Sequence, residues 1–336
     1  MIVSIVSPCR NEISQVDRFL HTVTQQQATG FELEILVADG ESNDGTAEVL
    51  AAWNATEPRI RVIPNPGRIV STGLNAAIRA ARGEIVVRMD LHTEYAEDYV
   101  AQCVMALEQT RATCVGGPWL AKGTSPTQRA ISKAFGSTFG SGGAKSRRRN
   151  YTGFVDSVYL GTWRRADLIA LGGFDERLVR NQDDELCLRI RRSGGTIWQT
   201  PAIRSQYIPR ASFSELWHQF YQYGYWRVGV IKKHRIPGSV RQLAPTLFIA
   251  ILLILTALGL VVPLAIIVAV GLCIAYGVLA IMAAAVASDS HDPRSLALVV
   301  LSFACMHFGY GLGLGHGILD FLILRRSRTG LSSRRV

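Results

Sequence analysis

The most constraining feature of this sequence is an apolar stretch of 83 residues, positions 242–324, with only four acidic or basic side chains. Within it, residues 243–262 and 264–287 are each long enough to cross the apolar core of a membrane, which is roughly 30 Å thick and needs about 20 helical residues. Pro263 lies where a tight hairpin between the two would turn. This composition excludes a wholly soluble enzyme, a disordered chain and a secreted disulfide scaffold.

A third apolar segment, residues 296–324, is rich in small residues. It contains Gly309, Gly311, Gly313, Gly315 and Gly317, a spacing that favours close packing between helices. Its ionisable residues, His307, His316 and Asp320, are expected to be structural. We predict three hydrophobic segments. The side of the membrane that holds the basic tail, residues 325–336, is left open, because three full spans would place its arginines outside, against the positive-inside tendency.

Residues 1–241 have the charge density of a soluble domain and an excess of seven basic side chains. No nucleic-acid motif accompanies that charge, so diphosphate substrates and lipid headgroups are the expected partners, and nucleic acid is not. The N-terminus lacks a basic segment before a long apolar run, so no signal peptide is predicted. Six scattered cysteines suit a reducing compartment. We therefore expect an integral protein of the plasma or inner membrane with its first domain in the cytosol.

Short β-branched runs alternate with helical stretches over the first 115 residues. The expected strands are residues 3–7, 33–38, 60–63, 84–89 and 113–116, and the expected helices are residues 14–27, 44–54, 71–82 and 96–109. This alternation predicts an α/β fold, a Rossmann-like and mostly parallel sheet with flanking helices. Ligands of such sheets bind beyond the carboxyl ends of the strands.

Three polar clusters follow expected strands, at residues 8–12, 39–45 and 90–94. Asp39 precedes a glycine, so it can accept hydrogen bonds from a ligand that approaches the backbone closely. Asp90 and His92 would lie on one side of an extended chain. A carboxylate and an imidazole could hold a divalent cation, Mn²⁺ or Mg²⁺, together with diphosphate oxygens.

The following region has two features with competing interpretations. Residues 136–153 are rich in Gly and Ser and contain Arg147, Arg148 and Arg149, which indicates either a solvated linker or a mobile lid over an anionic substrate. An apolar strand is expected at residues 154–160. A helix is expected at residues 183–192, and its first acids, Asp183, Asp184 and Glu185, favour the helix N-terminus. One of them could instead be a general base.

Residues 213–235 combine aromatic and basic side chains, which predicts an amphipathic helix in the headgroup region; the alternative is an ordinary packing helix. Gln219, Tyr223, Trp226 and Arg227 share one face of it. The expected division is a cytosolic domain at 1–212, with halves 1–115 and 116–212, an interfacial helix at 213–241, membrane segments at 242–324 and the basic tail.

A series of motifs, in order over residues 2–235, resembles that of the inverting glycosyltransferases of family 2, which have the GT-A fold. The donor-side motifs are Ser7-Pro8-Cys9-Arg10-Asn11-Glu12, Asp39-Gly40-Glu41-Ser42-Asn43-Asp44-Gly45-Thr46, Asn65-Pro66-Gly67-Arg68 and Asp90-Leu91-His92. The acceptor-side motifs are Gly172-Gly173-Phe174-Asp175-Glu176, Gln182-Asp183-Asp184-Glu185-Leu186 and Gln219-x-x-x-Tyr223-Gly224-x-Trp226-Arg227. The last motif and the membrane segments are most similar to the ExoA-like branch of succinoglycan-type membrane glucosyltransferases.

The resemblance implies a role for each matched residue. Asp183 would be the catalytic base, and Asp90 with His92 would hold the metal. The implied donor-binding residues are Pro8, Arg10, Glu12, Asp39, Arg68 and Asp90; those on the acceptor side are Asp184, Glu185, Gln219, Tyr223, Trp226 and Arg227. Two departures stand out: His92 replaces a second Asp, and Gln182 replaces a Glu beside the base.

The implied reaction moves one sugar from a nucleotide-sugar, a UDP-hexose by family expectation, to a lipid-linked polyprenyl saccharide in polysaccharide or glycoconjugate biosynthesis. The Gln-x-x-Arg-Trp sequence of processive synthases is absent, which favours single-sugar addition. The alternatives are a polyprenyl-phosphate sugar synthase and a non-catalytic membrane scaffold of the same fold.

Overall fold

The computed structural model describes residues 1–288 and 292–325. The chain divides into two compact units. The sheet unit comprises Met1–Trp119 and Arg148–Tyr207, and the helical unit comprises Leu120–Arg147 and the described residues from Ile208 onward. The predicted basic tail lies outside the described residues apart from Arg325.

Ten strands are found in the described residues. They are β1 (Ile2–Cys9), β2 (Glu32–Asp39), β3 (Ile60–Pro64), β4 (Ile85–Arg88), β5 (Thr93–Tyr95), β6 (Cys114–Gly117), β7 (Gly153–Phe154), β8 (Tyr159–Arg164), β9 (Ile197–Gln199) and β10 (Ser205–Tyr207). The α-helices are α1 (Val16–Thr24), α2 (Thr46–Thr56), α3 (Val70–Ala80), α4 (Tyr99–Thr110), α5 (Pro126–Gly136), α6 (Thr138–Ser141), α7 (Arg165–Ala170), α8 (Gln182–Arg192), α9 (Phe213–His234), α10 (Ala244–Leu258), α11 (Pro263–Ala287) and α12 (Pro293–Ile318).

Eight of the strands form one mixed sheet in the order β3-β2-β1-β4-β8-β6-β9-β7, and β5 pairs with β10 in a separate antiparallel ribbon. The pairs β1–β2, β2–β3, β1–β4 and β6–β9 are parallel. Every residue of β1 after Ile2 is buried, as expected for a strand covered on both faces. This mostly parallel sheet with flanking helices confirms the predicted α/β fold.

The prediction of a single strand at residues 154–160 is wrong. The structure has two strands there, β7 and β8, separated by a loop that contains an exposed Asp156 and a half-buried Ser157. These two polar residues interrupt the apolar run, so the second strand begins later and extends to Arg164. Because β8 runs antiparallel to both β4 and β6, it leaves β6 parallel to β4.

Residues 136–153 are not one continuous loop. Helix α6 and a 3₁₀ turn at Lys145–Arg147 lie within them. Ser137 caps α6 by accepting a hydrogen bond from the Gly140 amide at 3.0 Å, and the cation of Arg147 lies 5.4 Å from the centre of the Phe135 ring. Local capping thus orders part of a segment whose composition is typical of a linker.

In the helical unit, three helical segments are long and apolar enough to cross a membrane: Val240–Leu258, Pro263–Ala287 and Pro293–Ile323. This agrees with the three predicted segments, and α11 begins at Pro263 as the hairpin prediction required. Many large apolar side chains on α10 and α11 are exposed, for example Leu253 and Ile267. Such surfaces suit a lipid environment.

Helix α12 packs against α9 through glycines. Gly309, Gly313 and Gly317 face the backbones of Trp217, Tyr221 and Tyr225 on α9, so the predicted small-residue packing is found. His307 on α12 and Asp320, two residues after its end, are hydrogen-bonded within the same unit. The Tyr225 hydroxyl donates to Asp320 at 3.0 Å, and a ring nitrogen of His307 lies 3.1 Å from the Tyr276 hydroxyl. These contacts agree with the structural role expected for His307 and Asp320.

The glycine contact leads to a stability prediction with a matched control on the same helix. A Cβ added at Gly313 would lie 2.0 Å from the Tyr221 carbonyl oxygen, whereas one added at Gly315 would meet nothing within 4 Å. We expect Gly313→Ala to lower the free energy of unfolding in detergent by about 1–3 kcal/mol, because the helices must separate. Gly315→Ala should be neutral or slightly stabilising. Equal thermal midpoints for both variants would contradict this packing.

Candidate active site

The carboxyl ends of β1 and β2 are joined by hydrogen bonds between the loops that follow them. The Glu12 amide donates to Thr46 Oγ1 at 2.8 Å, and the Asn43 amide donates to Asn11 Oδ1 at 2.9 Å. Two of the three predicted polar clusters therefore lie side by side. Gly45, with φ near +98°, precedes α2 in a conformation that a residue with a side chain rarely adopts.

Asp39, at the end of β2, accepts hydrogen bonds from the amide and hydroxyl of Ser42 at 3.2 and 2.5 Å. These bonds orient its carboxylate, but each oxygen retains lone pairs for a ligand. Two predicted donor-side cations lie in the same region. Arg68 forms an ion pair with Glu41, and Arg10 lies beside Gly40, with its guanidinium 3.5 Å from the Arg68 carbonyl. Pro8 is opposite Ala38 in the sheet.

The centre of the site is a buried arginine that connects two of the predicted carboxylates. Arg88, the last residue of β4, has a side chain that is only 4% exposed. Its guanidinium donates two hydrogen bonds of 2.8 Å to the carboxylate of Asp90 and a third to Asp183. Asp183 and Asp90 are far apart in sequence, so this contact brings the predicted base and metal ligand together. Arg88 is not among the site residues predicted from the sequence.

Burial and neighbouring charges shift the pKa values of Arg88 and Asp183. Burial alone would lower the pKa of Arg88, but the carboxylates of Asp183 and Asp90 raise it overall, so the guanidinium stays protonated. Burial raises the pKa of Asp183 above its ordinary value; Arg88 opposes this rise, and Asp90 and Asp184 add to it. Because the Asp183 side chain is 43% exposed, solvent moderates the shift. A carboxylate of raised pKa is a stronger base than an ordinary one.

The geometry around His92 differs from the one expected. Strand β4 ends at Arg88, and residues 91 and 92 form a turn, so Asp90 and His92 do not share an extended segment. His92 Nε2 lies 2.8 Å from Glu12 Oε1. When Nε2–H donates to this carboxylate, Nδ1 is left with a lone pair. Among the described residues, no group of three or more His, Cys, Asp or Glu side chains could hold a metal.

Glu185, from an acceptor-side motif, and Asn75 on α3 shape the protein rather than the open part of the site. Glu185 is fully buried and binds Arg189, which also donates to the Gly173 carbonyl at 2.8 Å. Asn75 on α3 exchanges two 2.8 Å hydrogen bonds with the backbone of Phe174. Together they hold the Gly172-Gly173-Phe174 turn. Asp184 is half-buried beside Asp183, in the first turn of α8.

The remaining predicted residues are distributed between the two units. Gln219, Trp226 and Arg227 are buried in the helical unit, and Gln219 Nε2 donates to the Tyr223 hydroxyl at 3.0 Å. Their burial favours the packing interpretation of α9, which ends at His234. Of the lid candidates, Arg147 belongs to the helical unit, while Arg148 and Arg149 are exposed in the sheet unit. Their role as a lid remains a prediction.

Comparison with known proteins identifies the family. Residues 4–171 match Glycosyl transferase family 2. The chain is 31% identical to the succinoglycan biosynthesis protein ExoA of Rhizobium meliloti over 94% of its own length and 95% of that protein. It is 24% identical, over 77% of its length and 83% of the relative, to a dolichyl N-acetyl-α-D-glucosaminyl phosphate 3-β-D-2,3-diacetamido-2,3-dideoxy-β-D-glucuronosyltransferase of Methanococcus voltae.

One solved structure shares the fold over most of both chains. It is the mannosyltransferase PcManGT of Pyrobaculum calidifontis, determined with GDP-Man and Mn²⁺, and it has a TM-score of 0.58 at 19% identity. The alignment covers 94% of the present chain and 86% of that one. The match to the family over half of the sequence and the nearly full-length relative lead to the same conclusion: this chain belongs to glycosyltransferase family 2.

Proposed function

We propose that this protein is a membrane-anchored inverting glycosyltransferase that moves one hexose from a nucleotide-sugar, UDP-hexose in the first instance, to a lipid-linked saccharide. The observation that carries this proposal is the Arg88 side chain, which holds Asp90 and Asp183 together at the carboxyl edge of the sheet. This side chain connects Asp90, which could bind the donor diphosphate through a divalent cation, to Asp183, which could remove a proton from the acceptor. The relative named for succinoglycan biosynthesis supports a role in polysaccharide or glycoconjugate synthesis.

The proposed reaction is a single displacement. Asp183 accepts the proton of an acceptor hydroxyl, whose oxygen forms a bond to the anomeric carbon of the donor sugar. The bond from that carbon to the diphosphate breaks, and the nucleoside diphosphate leaves with the electron pair. Attack opposite the leaving group inverts the anomeric configuration, so an α-linked donor yields a β-linked product. The raised pKa of Asp183 favours its role as the base.

The residues around Asp90 fit a divalent cation. Mg²⁺ is commonly bound by one or two carboxylates together with substrate phosphates, and adding an imidazole favours Mn²⁺. Asp90 would supply the carboxylate and His92 Nδ1 the imidazole nitrogen, while Glu12 would orient the ring, as carboxylates commonly do for metal-binding histidines. When bound, such a cation would neutralise charge that develops on the diphosphate. The donor nucleotide would lie nearer Pro8 and Asp39.

The membrane segments support a lipid-linked acceptor. Three helices suited to crossing a bilayer would keep the sheet unit close to substrates that cannot leave the membrane. The Methanococcus relative is named for transfer to a dolichyl-linked amino sugar, an acceptor that already carries a saccharide. We therefore favour a lipid-linked saccharide over bare polyprenyl phosphate, with the sheet unit in the cytosol.

The test is a matrix of donors and acceptors assayed with the full-length protein in membranes. UDP-glucose, UDP-galactose and GDP-mannose would each be supplied with polyprenyl phosphate or a polyprenyl diphosphate saccharide, with Mn²⁺, Mg²⁺ or EDTA. We expect labelled sugar in the lipid-linked saccharide, loss of activity in EDTA and an inverted anomeric configuration by NMR. Label in bare polyprenyl phosphate would instead support the synthase alternative. Absence of turnover with every donor would contradict the proposal and favour a scaffold.

A further inference from the structure

A cluster of three partly exposed aromatic rings lies in the sheet unit and has no role in the chemistry described so far. It consists of Trp119, Tyr159 and Tyr207, hereafter the aromatic cluster. The Trp119 and Tyr159 rings stack with their centres 5.6 Å apart and their planes 9° from parallel. The Tyr207 ring meets both of them edge to face, at 5.7 and 6.2 Å.

The sheet topology places this cluster at the same edge as the catalytic carboxylates. Since β6 is parallel to β4, Trp119, two residues after β6, follows a carboxyl end at that edge. Tyr159 begins the antiparallel strand β8, and it is opposite Gly117, the last residue of β6. Tyr207 ends β10, opposite Thr93 of β5. Three segments that are distant in sequence therefore bring their rings together at this edge.

Two tyrosine hydroxyls connect this cluster to Asp90. The Tyr159 hydroxyl lies 2.7 Å from Thr93 Oγ1, three residues after Asp90. The Tyr95 hydroxyl, on the same short strand as Thr93, donates to the Asp90 carbonyl at 3.0 Å. Burial first, and then the nearby Asp90 carboxylate, raise the pKa of Tyr159, so its hydroxyl remains protonated. The cluster is thus hydrogen-bonded to the short strand β5, which follows Asp90 on the proposed diphosphate side of the site.

The position of the cluster in the strand order indicates which substrate it meets. The proposed nucleotide residues follow β1 and β2, on one side of β4, whereas β8 and β6 lie on the other side. A substrate beside the aromatic cluster is therefore separated from the nucleotide by Asp90. The acceptor has to approach the anomeric carbon opposite the leaving diphosphate, so this is the side suited to the acceptor.

We propose that the aromatic cluster is the stacking site for the pyranose ring of the acceptor saccharide, with Trp119 as its main contact. One face of a pyranose presents C–H groups, which pack on an aromatic ring, while the hydroxyls at its rim remain free for hydrogen bonds. All three residues are partly exposed, so the cluster retains surface for a ligand. This assignment rests on the proposed glycosyltransfer and adds a specificity determinant to it.

The test separates acceptor binding from donor chemistry. Trp119→Ala should raise the KM for the lipid-linked saccharide by about tenfold or more, because a stacking contact and its buried area are lost. The KM for the nucleotide-sugar and the slow hydrolysis of donor without acceptor should stay within about twofold of wild type. Trp119→Phe retains a ring and should recover most of the acceptor affinity.

Phe154→Ala is a suitable control, because Phe154 is an aromatic residue that is 57% exposed on the edge strand β7 and is not part of the aromatic cluster. Thermal midpoints of all variants would be compared with that of wild type. An unchanged acceptor KM in a folded, active Trp119→Ala protein would overturn the stacking site and leave the glycosyltransferase proposal intact. If wild type neither transfers sugar nor hydrolyses any donor, the proposed function itself fails. A parallel rise in both KM values would mean a general structural role for Trp119, which also overturns the proposal.

Discussion

Replacing Asp183 with Asn should lower kcat for sugar transfer by roughly 10²–10⁴-fold, the usual contribution of a positioned general base. The amide cannot take the proton of the acceptor hydroxyl, although it occupies nearly the same volume. Binding of the nucleoside diphosphate should change little, because Asp183 is proposed to act on the acceptor side. Initial rates with labelled donor, together with equilibrium binding of UDP, would measure the two effects separately.

Asp156→Asn is the matched control for this substitution. Asp156 also lies in the sheet unit and is also bound to an arginine, Arg191, at 3.0 Å, but its side chain is 62% exposed in the β7–β8 loop. It should retain wild-type kcat. If Asp183→Asn retained wild-type turnover with an unchanged thermal midpoint, another group would have to be the base.

The acidity of Asp183 also determines the pH dependence of the reaction. Only the ionised carboxylate can accept a proton, so kcat should fall as the pH drops through the pKa of Asp183. Because burial, Asp90 and Asp184 raise that pKa, the acidic limb of the profile should lie at higher pH than an ordinary aspartate would give. The limb should be absent from whatever residual activity Asp183→Asn retains.

Arg88→Met should lower kcat by roughly 10²-fold or more, because both carboxylates lose the group that positions them. It should also move the acidic limb of the pH profile further toward higher pH, since Arg88 is the charge that opposes the rise in the pKa of Asp183. Arg88→Lys keeps the charge but cannot donate in parallel to both oxygens of Asp90. Its kcat should therefore lie between those of wild type and Arg88→Met. The measurements are kcat at saturating substrate from pH 4 to pH 9 and the thermal midpoint.

Arg79→Met controls for the loss of an arginine at an ion pair. The Arg79 side chain is 66% exposed, and its nitrogen lies 3.6 Å from Glu176. Its removal should leave the pH profile unchanged, because exposed ion pairs contribute little. A merely structural role for Arg88 would lower stability without moving the acidic limb, and this result would contradict its proposed effect on Asp183.

The first half of the sheet could be predicted from sequence because its elements follow local rules. Strands of alternating β-branched residues and helices of amphipathic spacing recur over the first 115 residues, and the observed elements differ from the predicted ones by a few residues at their ends. Prediction was weaker after Gly117. There the strands are short, as in β7 and β9, so no local repeat indicates them. The short strand β5, in the first half, was missed as well, because it pairs with the distant β10.

The site could be predicted in part for a similar reason. Asp39, Asp90 and Asp183 belong to motifs that follow strands or begin a helix, so sequence order alone made them candidates. Arg88 was missed because its role depends on a contact 95 residues away along the chain. An arginine as the last residue of a buried strand was the available clue, since an unpaired charge is costly there. Glu185 was predicted as an acceptor-side residue from its position in a motif. That position did not indicate its buried ion pair with Arg189.

The contact between α9 and α12 has a consequence for how the chain is made. The surface of α9 that carries Tyr221 and Tyr225 packs against Gly313 and Gly317, which are synthesised after α10 and α11. During translation, α9 can therefore make this contact only after α10, α11 and most of α12 have been synthesised. The strands of the sheet unit end at Tyr207, before any of these helices emerges. Packing of α9 against α12 is then a late step, and the aromatic surface of α9 lacks this partner until α12 is complete.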